Sequence, residues 1–147
     1  MHKKFFVHIF VFLSVAFLTN FLWESLHAIF LYEGLNILGI ERYVQLMLNV
    51  SLKDMAWLFA VFVGLRIYYR DLGWFVRLSR GKIQAMLFVP LIIAILIEMQ
   101  GVFVFHKWEY SPLMPTLLGL GVSPLLQLPL TFIFSIALIR RIDATRA

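Results

Sequence analysis

Apolar residues fall in four long runs separated by short polar or Pro/Gly-rich stretches. The runs cover about Phe5 to Tyr32, Leu46 to Tyr69, Ile83 to Phe105 and Ser123 to Ile139, against the roughly 17 to 25 residues a helix needs to cross a bilayer. The pattern predicts an all-α, polytopic membrane protein, a single transmembrane domain over residues 1–147 built as a four-helix bundle. Between the third and fourth runs, Ser111 to Val122 is apolar yet broken by Pro112, Pro115, Gly119 and Gly121. As a straight lipid-exposed helix its backbone would lack partners, so it is expected as a re-entrant or interfacial loop packed over the bundle. Ser123 and Pro124 read as the N-cap and first residue of the fourth helix, and Pro129 predicts a kink or a locally opened backbone. The basic start at His2, Lys3 and Lys4 has the character of a secretory signal. The apolar run nevertheless continues through Trp23 to Tyr32 with no small-x-small site after it, so it is expected to stay as a span.

Composition agrees with this picture: hydrophobic residues make up 62% of the 147 positions and charged residues 14%, against about a quarter charged in soluble domains. The absence of cysteine excludes disulfides, thiolate ligands and a cysteine nucleophile. The net charge of +5 changes meaning once its positions are considered. Lys3, Lys4, Arg66, Arg70, Arg77, Arg80, Lys82, Arg140, Arg141 and Arg146 fall on one side of the alternating spans, and only Arg42, Lys53 and Lys107 on the other. That bias is an orientation signal, not a nucleic-acid footprint, and it places both termini on the cytoplasmic side of the cell membrane. Tyr32, Trp108 and Tyr110 read as an outer aromatic belt and Tyr68, Tyr69 and Trp74 as its inner counterpart. The run from Arg66 to Lys82 reads as an interfacial segment against anionic lipid.

Candidate chemistry lies in the few polar groups inside the apolar runs, each costing on the order of 2.5 to 3.5 kcal/mol to insert. Glu24 and Glu98 fall roughly 10 to 12 Å from the outer ends of the first and third helices at 1.5 Å per residue, so both belong to one layer. Asn20, Glu24 and His27 share a stripe at i, i+4 and i+7, bordered by Trp23, and such a stripe should face the bundle interior. Gln127, one turn into the fourth helix, is positioned to join them. Asp54 has two readings: a member of the same layer, or the acidic end of a Ser51-Leu52-Lys53-Asp54 capping box at the membrane surface. No Lys or Arg is expected inside the membrane beside these acids. Either the carboxyls are neutral or something positive visits them: a proton, a metal ion or an amine-bearing ligand. Glu24-x-x-His27 has the spacing used by di-iron bundles, but those need two such motifs and further Glu residues, so no metal and no cofactor is expected. Ser25 and Ser123 show no evident base, which gives a hydrolase little support.

Asn20-Phe21-Leu22-Trp23-Glu24, Trp108-x-Tyr110, Met114-Pro115-Thr116 and Ser123-Pro124-Leu125-Leu126-Gln127 together resemble a group of small, uncharacterised four-span integral membrane proteins of prokaryotes. The resemblance covers the whole chain and implies the architecture, with no activity to carry over. The arrangement is also loosely similar to the sterol isomerase and sigma-2 receptor superfamily, whose members bind sterols or hydrophobic amines against intramembrane carboxylates; this chain lacks a match to that family's His and Glu pattern.

The leading expectation is an outward-facing pocket for a small hydrophobic or lipid-like ligand. Glu24 and Glu98 would act as acid and base or as ligand-charge partners, with Asn20, Trp23, His27, Asp54, Trp108 and Gln127 binding or orienting. A proton- or cation-linked transporter, as a homo-oligomer, is a second expectation, and an accessory subunit without catalysis a third.

Overall fold

In the computed structural model, which describes residues 2–35, 37–71 and 73–144, the four apolar runs are four helices. They are α1 (His2–Phe30), α2 (Ile40–Tyr69), α3 (Arg80–Met99) and α4 (Val122–Ala144). All four are long and apolar enough to cross a membrane, and the chain is a multi-pass integral membrane protein with an all-α bundle. Much of the surface is Phe, Leu and Ile: Phe6, Phe10, Leu22, Ile92 and Phe134, for example, are all exposed. That surface suits hydrocarbon rather than water. Four spans also put both ends of the chain and the α2–α3 connection at one end of the bundle. We call this the terminal end, and the other the loop end. Of the basic residues expected at the terminal end, Arg146 lies outside the described residues.

Two helix boundaries differ from the sequence expectation in ways that matter later. α2 begins at Ile40 rather than near Leu46, because Glu41 to Gln45 extends the helical pattern beyond the purely apolar run. Asp54 therefore lies about four turns inside the helix, Ser51 donates to the carbonyl of Met47 at 2.6 Å, and the capping-box reading falls away. α4 begins at Val122, and Pro129 is accommodated inside a continuous helix.

Around the ring, α1 packs between α2 and α4, and α4 packs between α1 and α3, while α2 and α3 touch only sparsely. Three seams are tight and one is loose. At the terminal end the bundle is sealed by aromatic rings from every helix but α3. Phe12 lies 4.7 Å from Phe62 and 5.5 Å from Phe132, centroid to centroid. Trp74 and Phe75, from the α2–α3 connection, fold in against Phe62 at 5.9 and 5.8 Å. Trp74 is 0% exposed. The expectation that it belongs to an interfacial belt is therefore corrected: the short connection turns its rings inward, where they close the gap that four diverging helices leave.

At the loop end, the Pro/Gly-rich stretch forms a two-stranded antiparallel hairpin, β1 (Thr116–Leu117) and β2 (Leu120–Gly121). Leu118 and Gly119 make its turn with φ of 53° and 79°, the positive pair that a type I′ turn requires and that glycine supplies most easily. Met114 and Leu120 anchor it in the bundle, while Leu113, Leu117 and Leu118 remain exposed.

Trp74→Ala should cost about 3 kcal/mol by leaving a void among these rings, seen as a lowered melting temperature of the detergent-solubilised protein. Tyr68→Ala, at a residue 77% exposed, should change stability by no more than about 0.5 kcal/mol.

Candidate functional site

The polar stripe of α1 meets the inner faces of α2 and α4 at a single amide. Gln127 Nε2 lies 2.8 Å from Glu24 Oε1, 3.1 Å from Asp54 Oδ2 and 3.2 Å from Asn20 Oδ1, so one side chain of α4 donates toward three oxygens on α1 and α2. The same amide thus holds the Glu24 and Asp54 carboxyls side by side. Thr131, one turn below Gln127, supports Asn20 Oδ1 at 3.4 Å. This convergence follows from helical spacing: Asn20 and Glu24 stand one turn apart, as do Gln127 and Thr131, so two adjacent rungs of α1 face two of α4.

Glu98, on α3, belongs to a second group. Its Oε2 accepts from the Tyr110 hydroxyl and from Trp108 Nε1, the latter at 3.4 Å. Both donors lie beyond the helix and are brought back by two local devices. The chain leaves α3 through a π-helical turn, Gln100–Val104, after which Lys107 N donates to the Gly101 carbonyl at 2.8 Å. Trp108 thereby lies directly over Gly101, where any Cβ would fall inside its indole ring. Tyr110 is held by pairing with the α1–α2 loop through an isolated bridge to Tyr32. Glu33 N donates to the Glu109 carbonyl and Ser111 N to the Leu31 carbonyl, both at 3.0 Å. Burial, and then the bond to Glu98, raise the Tyr110 phenol above the ordinary tyrosine range.

The two groups face one another across a cavity of about 370 Å³. Glu24, Asp54, Glu98, Gln127 and Trp108 all line it. Carboxyls from three different helices therefore border one space, Asp54 among them. Among the described residues none of the three carboxyls is ion-paired, and no group of three or more His, Asp or Glu side chains is arranged to hold a metal ion. The remaining walls are largely apolar: Leu46, Met47, Val50, Trp57, Ala94, Ile97 and Leu128.

Three expected contributors do not line the cavity. Asn20 braces Gln127 from behind, and Trp23 packs its ring 5.4 Å from that of His27. His27 Nε2 lies 2.5 Å from Ser123 Oγ. That contact corrects two expectations at once: Ser123, inside α4 rather than capping it, faces an imidazole of α1, and a base does stand beside it. The pair is no nucleophile for this cavity, because neither residue reaches it and His27 Nδ1 has no partner to orient the ring. Asn20 Nδ2 and Trp23 Nε1 are likewise buried without a partner, so α1 presents a row of polar atoms whose needs the protein does not meet.

Sequence reasoning missed Lys53, Lys107, Tyr110 and Trp57 as parts of the site. Lys53 and Lys107 line the cavity, against the expectation that no basic residue would stand beside the acids. The earlier start of α2 carries Lys53 down with Asp54. Spacing offered a signal for Lys53 and Trp57, since Val50, Lys53, Asp54 and Trp57 recur at i, i+3, i+4 and i+7. None existed for Tyr110, whose position depends on the loop pairing.

Gly101→Ala should expel Trp108 from Glu98 and cost on the order of 1 to 3 kcal/mol, read from thermal unfolding in detergent. Gly64→Ala, where an added Cβ meets nothing within 4 Å, is the matched control and should be neutral or slightly stabilising. The Tyr110 phenol also predicts a pH effect. A group that holds its proton more tightly when folded contributes stability that is complete below its unfolded pKa of about 10 and fades as pH rises beyond it. The melting temperature should therefore fall above about pH 10, and Tyr110→Phe should make that fall shallower.

No family model matches the chain, and neither curated proteins nor solved structures give a match.

Proposed function

We propose that this membrane protein binds the polar part of a small hydrophobic or lipid-like ligand in the cavity between α2 and α3. One observation carries the reading: carboxyls from α1, α2 and α3 line the same space without closing on it. A polar cluster kept only to hold helices together gains most by direct contact. Here Glu24 and Asp54 meet Gln127, whereas Glu98 is held back against Tyr110 and Trp108 on the far wall. A ligand group between them can face hydrogen-bonding atoms on two sides. Such an arrangement can also pass a proton to one face of a bound group and remove one from another, with Glu24 and Glu98 in the acid and base roles.

The aromatic seal at the terminal end favours binding over conduction as the leading reading. Below the carboxyl layer the bundle axis is filled by Phe12, Phe62, Trp74 and Phe132, an apolar barrier to a transported ion. The positive-residue bias supports a cell-membrane protein with the terminal end in the cytoplasm and the cavity toward the outer leaflet. On that orientation the hairpin lies at the outer interface, with Leu113, Leu117 and Leu118 toward lipid.

The test is to purify the protein in mild detergent and identify retained small amphiphiles by mass spectrometry of the extract. Wild type should carry a species that Glu24→Gln, Asp54→Asn and Glu98→Gln each lose by about tenfold or more, a change of about 1.4 kcal/mol, while remaining folded by circular dichroism. Equal retention by all three variants would remove the cavity as the binding site. In proteoliposomes carrying a pH dye, the protein should add no proton flux.

A further inference from the structure

The cavity presents both signs of charge. Lys53 and Lys107 line the same walls as Glu24, Asp54 and Glu98, but the lysines are exposed whereas Asp54 and Glu98 are buried and Glu24 is half-buried. They stand on opposite sides of the loose seam, Lys53 on α2 and Lys107 in the segment after α3. Lys53 directly precedes Asp54 along α2. Lys107 Nζ rests over the Phe105 ring at 4.8 Å from its centroid, and neither lysine is ion-paired to the cavity acids among the described residues. The acids form the inner wall and the ammonium groups the rim.

The space is also too small for a whole lipid and is open on one side. About 370 Å³ lies near the lower end of the roughly 300 to 1,000 Å³ of small-molecule pockets, enough for a head but not for long chains. Trp57 lines the cavity and is yet 49% exposed, so the cavity reaches the outer face of the bundle where α2 and α3 barely touch. Leu46, Val50, Trp57 and Ile97 make that opening apolar, which suits a hydrocarbon tail leading out between the helices. A head with only a cation would face two unpaired lysines at the entrance, and one with only an anion would meet three carboxyls inside. A head with its amine inward and its anion at the rim meets complementary groups at both levels.

Resting on the binding reading above, we propose that the occupant is a membrane-anchored zwitterionic amphiphile. Its amine reaches Glu24, Asp54 and Glu98, its phosphate-type anion lies between Lys53 and Lys107, and its tail remains in the bilayer at the α2–α3 seam.

The experiment measures binding to the full chain in detergent by native mass spectrometry with four probes. These are a short-chain phosphatidylethanolamine, the phosphatidic acid of the same chains, an alkylamine of equal chain length, and free phosphoethanolamine. The phosphatidylethanolamine should bind about tenfold or more tighter than the other three. The Lys53→Gln/Lys107→Gln double variant should reduce it to the level of the alkylamine without lowering the melting temperature, since both residues are exposed. Equal binding of the alkylamine, indifferent to the lysine changes, would overturn the proposal in favour of a purely cationic ligand. Equal binding of phosphatidic acid would overturn it in favour of an anion site, and equal binding of free phosphoethanolamine would remove the tail. If no probe binds while wild type still retains an acid-dependent species on purification, this proposal fails and the binding function stands; if that species is also missing, both fail.

Discussion

Three carboxyl groups on three apolar helices, none of them ion-paired among the described residues, are the constraint around which the loop-end half of this protein is organised. Each would cost a few kcal/mol to place in a bilayer alone, so each must find hydrogen-bond donors that do not themselves bring a large desolvation cost. The donors are an amide, a phenol and an indole: Gln127, Tyr110 and Trp108. Neutral donors have a structural consequence. Unlike an arginine, they do not cancel the charge, and the acids retain their capacity for a proton or a cation.

The bundle is consequently divided along its length. Toward the terminal end it is a dry stack of interlocking rings, where Phe12, Phe62, Trp74, Phe75 and Phe132 fill the axis. Toward the loop end lies the cavity, lined by both α2 and α3, which touch only sparsely. One feature makes the other tolerable. A bundle with a poorly packed seam and buried polar groups needs a rigid body elsewhere, and dense aromatic packing that preserves complementary shape supplies it. The hairpin and the paired Tyr32–Tyr110 loops then position the far wall without filling the space.

Periodicity made the four helices legible because hydropathy over about 20 residues is a strong signal. The stripe Asn20, Glu24 and His27 was legible for the same reason, since helical spacing alone sets which residues share a face. The limits lay where position depends on a partner in another element. Trp74 looks like an interfacial tryptophan until the turn after α2 carries it inward. Tyr110 and Trp108 sit in a segment without periodicity, and only the π-helical turn, Gly101 and the bridge to Tyr32 bring them to Glu98. Asp54 was ambiguous because a capping box and a mid-helix acid share one local sequence, and only the length of α2 separates them. His27 was placed on the correct face, but its partner is Ser123 rather than Glu24.

Hydrogen counting at Gln127 links the architecture to the proposed binding. Its amide carries two N–H bonds and has three oxygen neighbours, on Asn20, Glu24 and Asp54. Thr131 also donates to Asn20 Oδ1, so the two amide hydrogens are left to the Glu24 and Asp54 carboxyls, two hydrogens against four carboxyl oxygens. The deficit can be met by a hydrogen on one of the acids or by a donor entering from the cavity that both line. A cluster with surplus donors would repel an ammonium group, which has no lone pair to accept with. One with surplus acceptors, open toward a space of suitable size, is chemically matched to a ligand that donates hydrogen bonds.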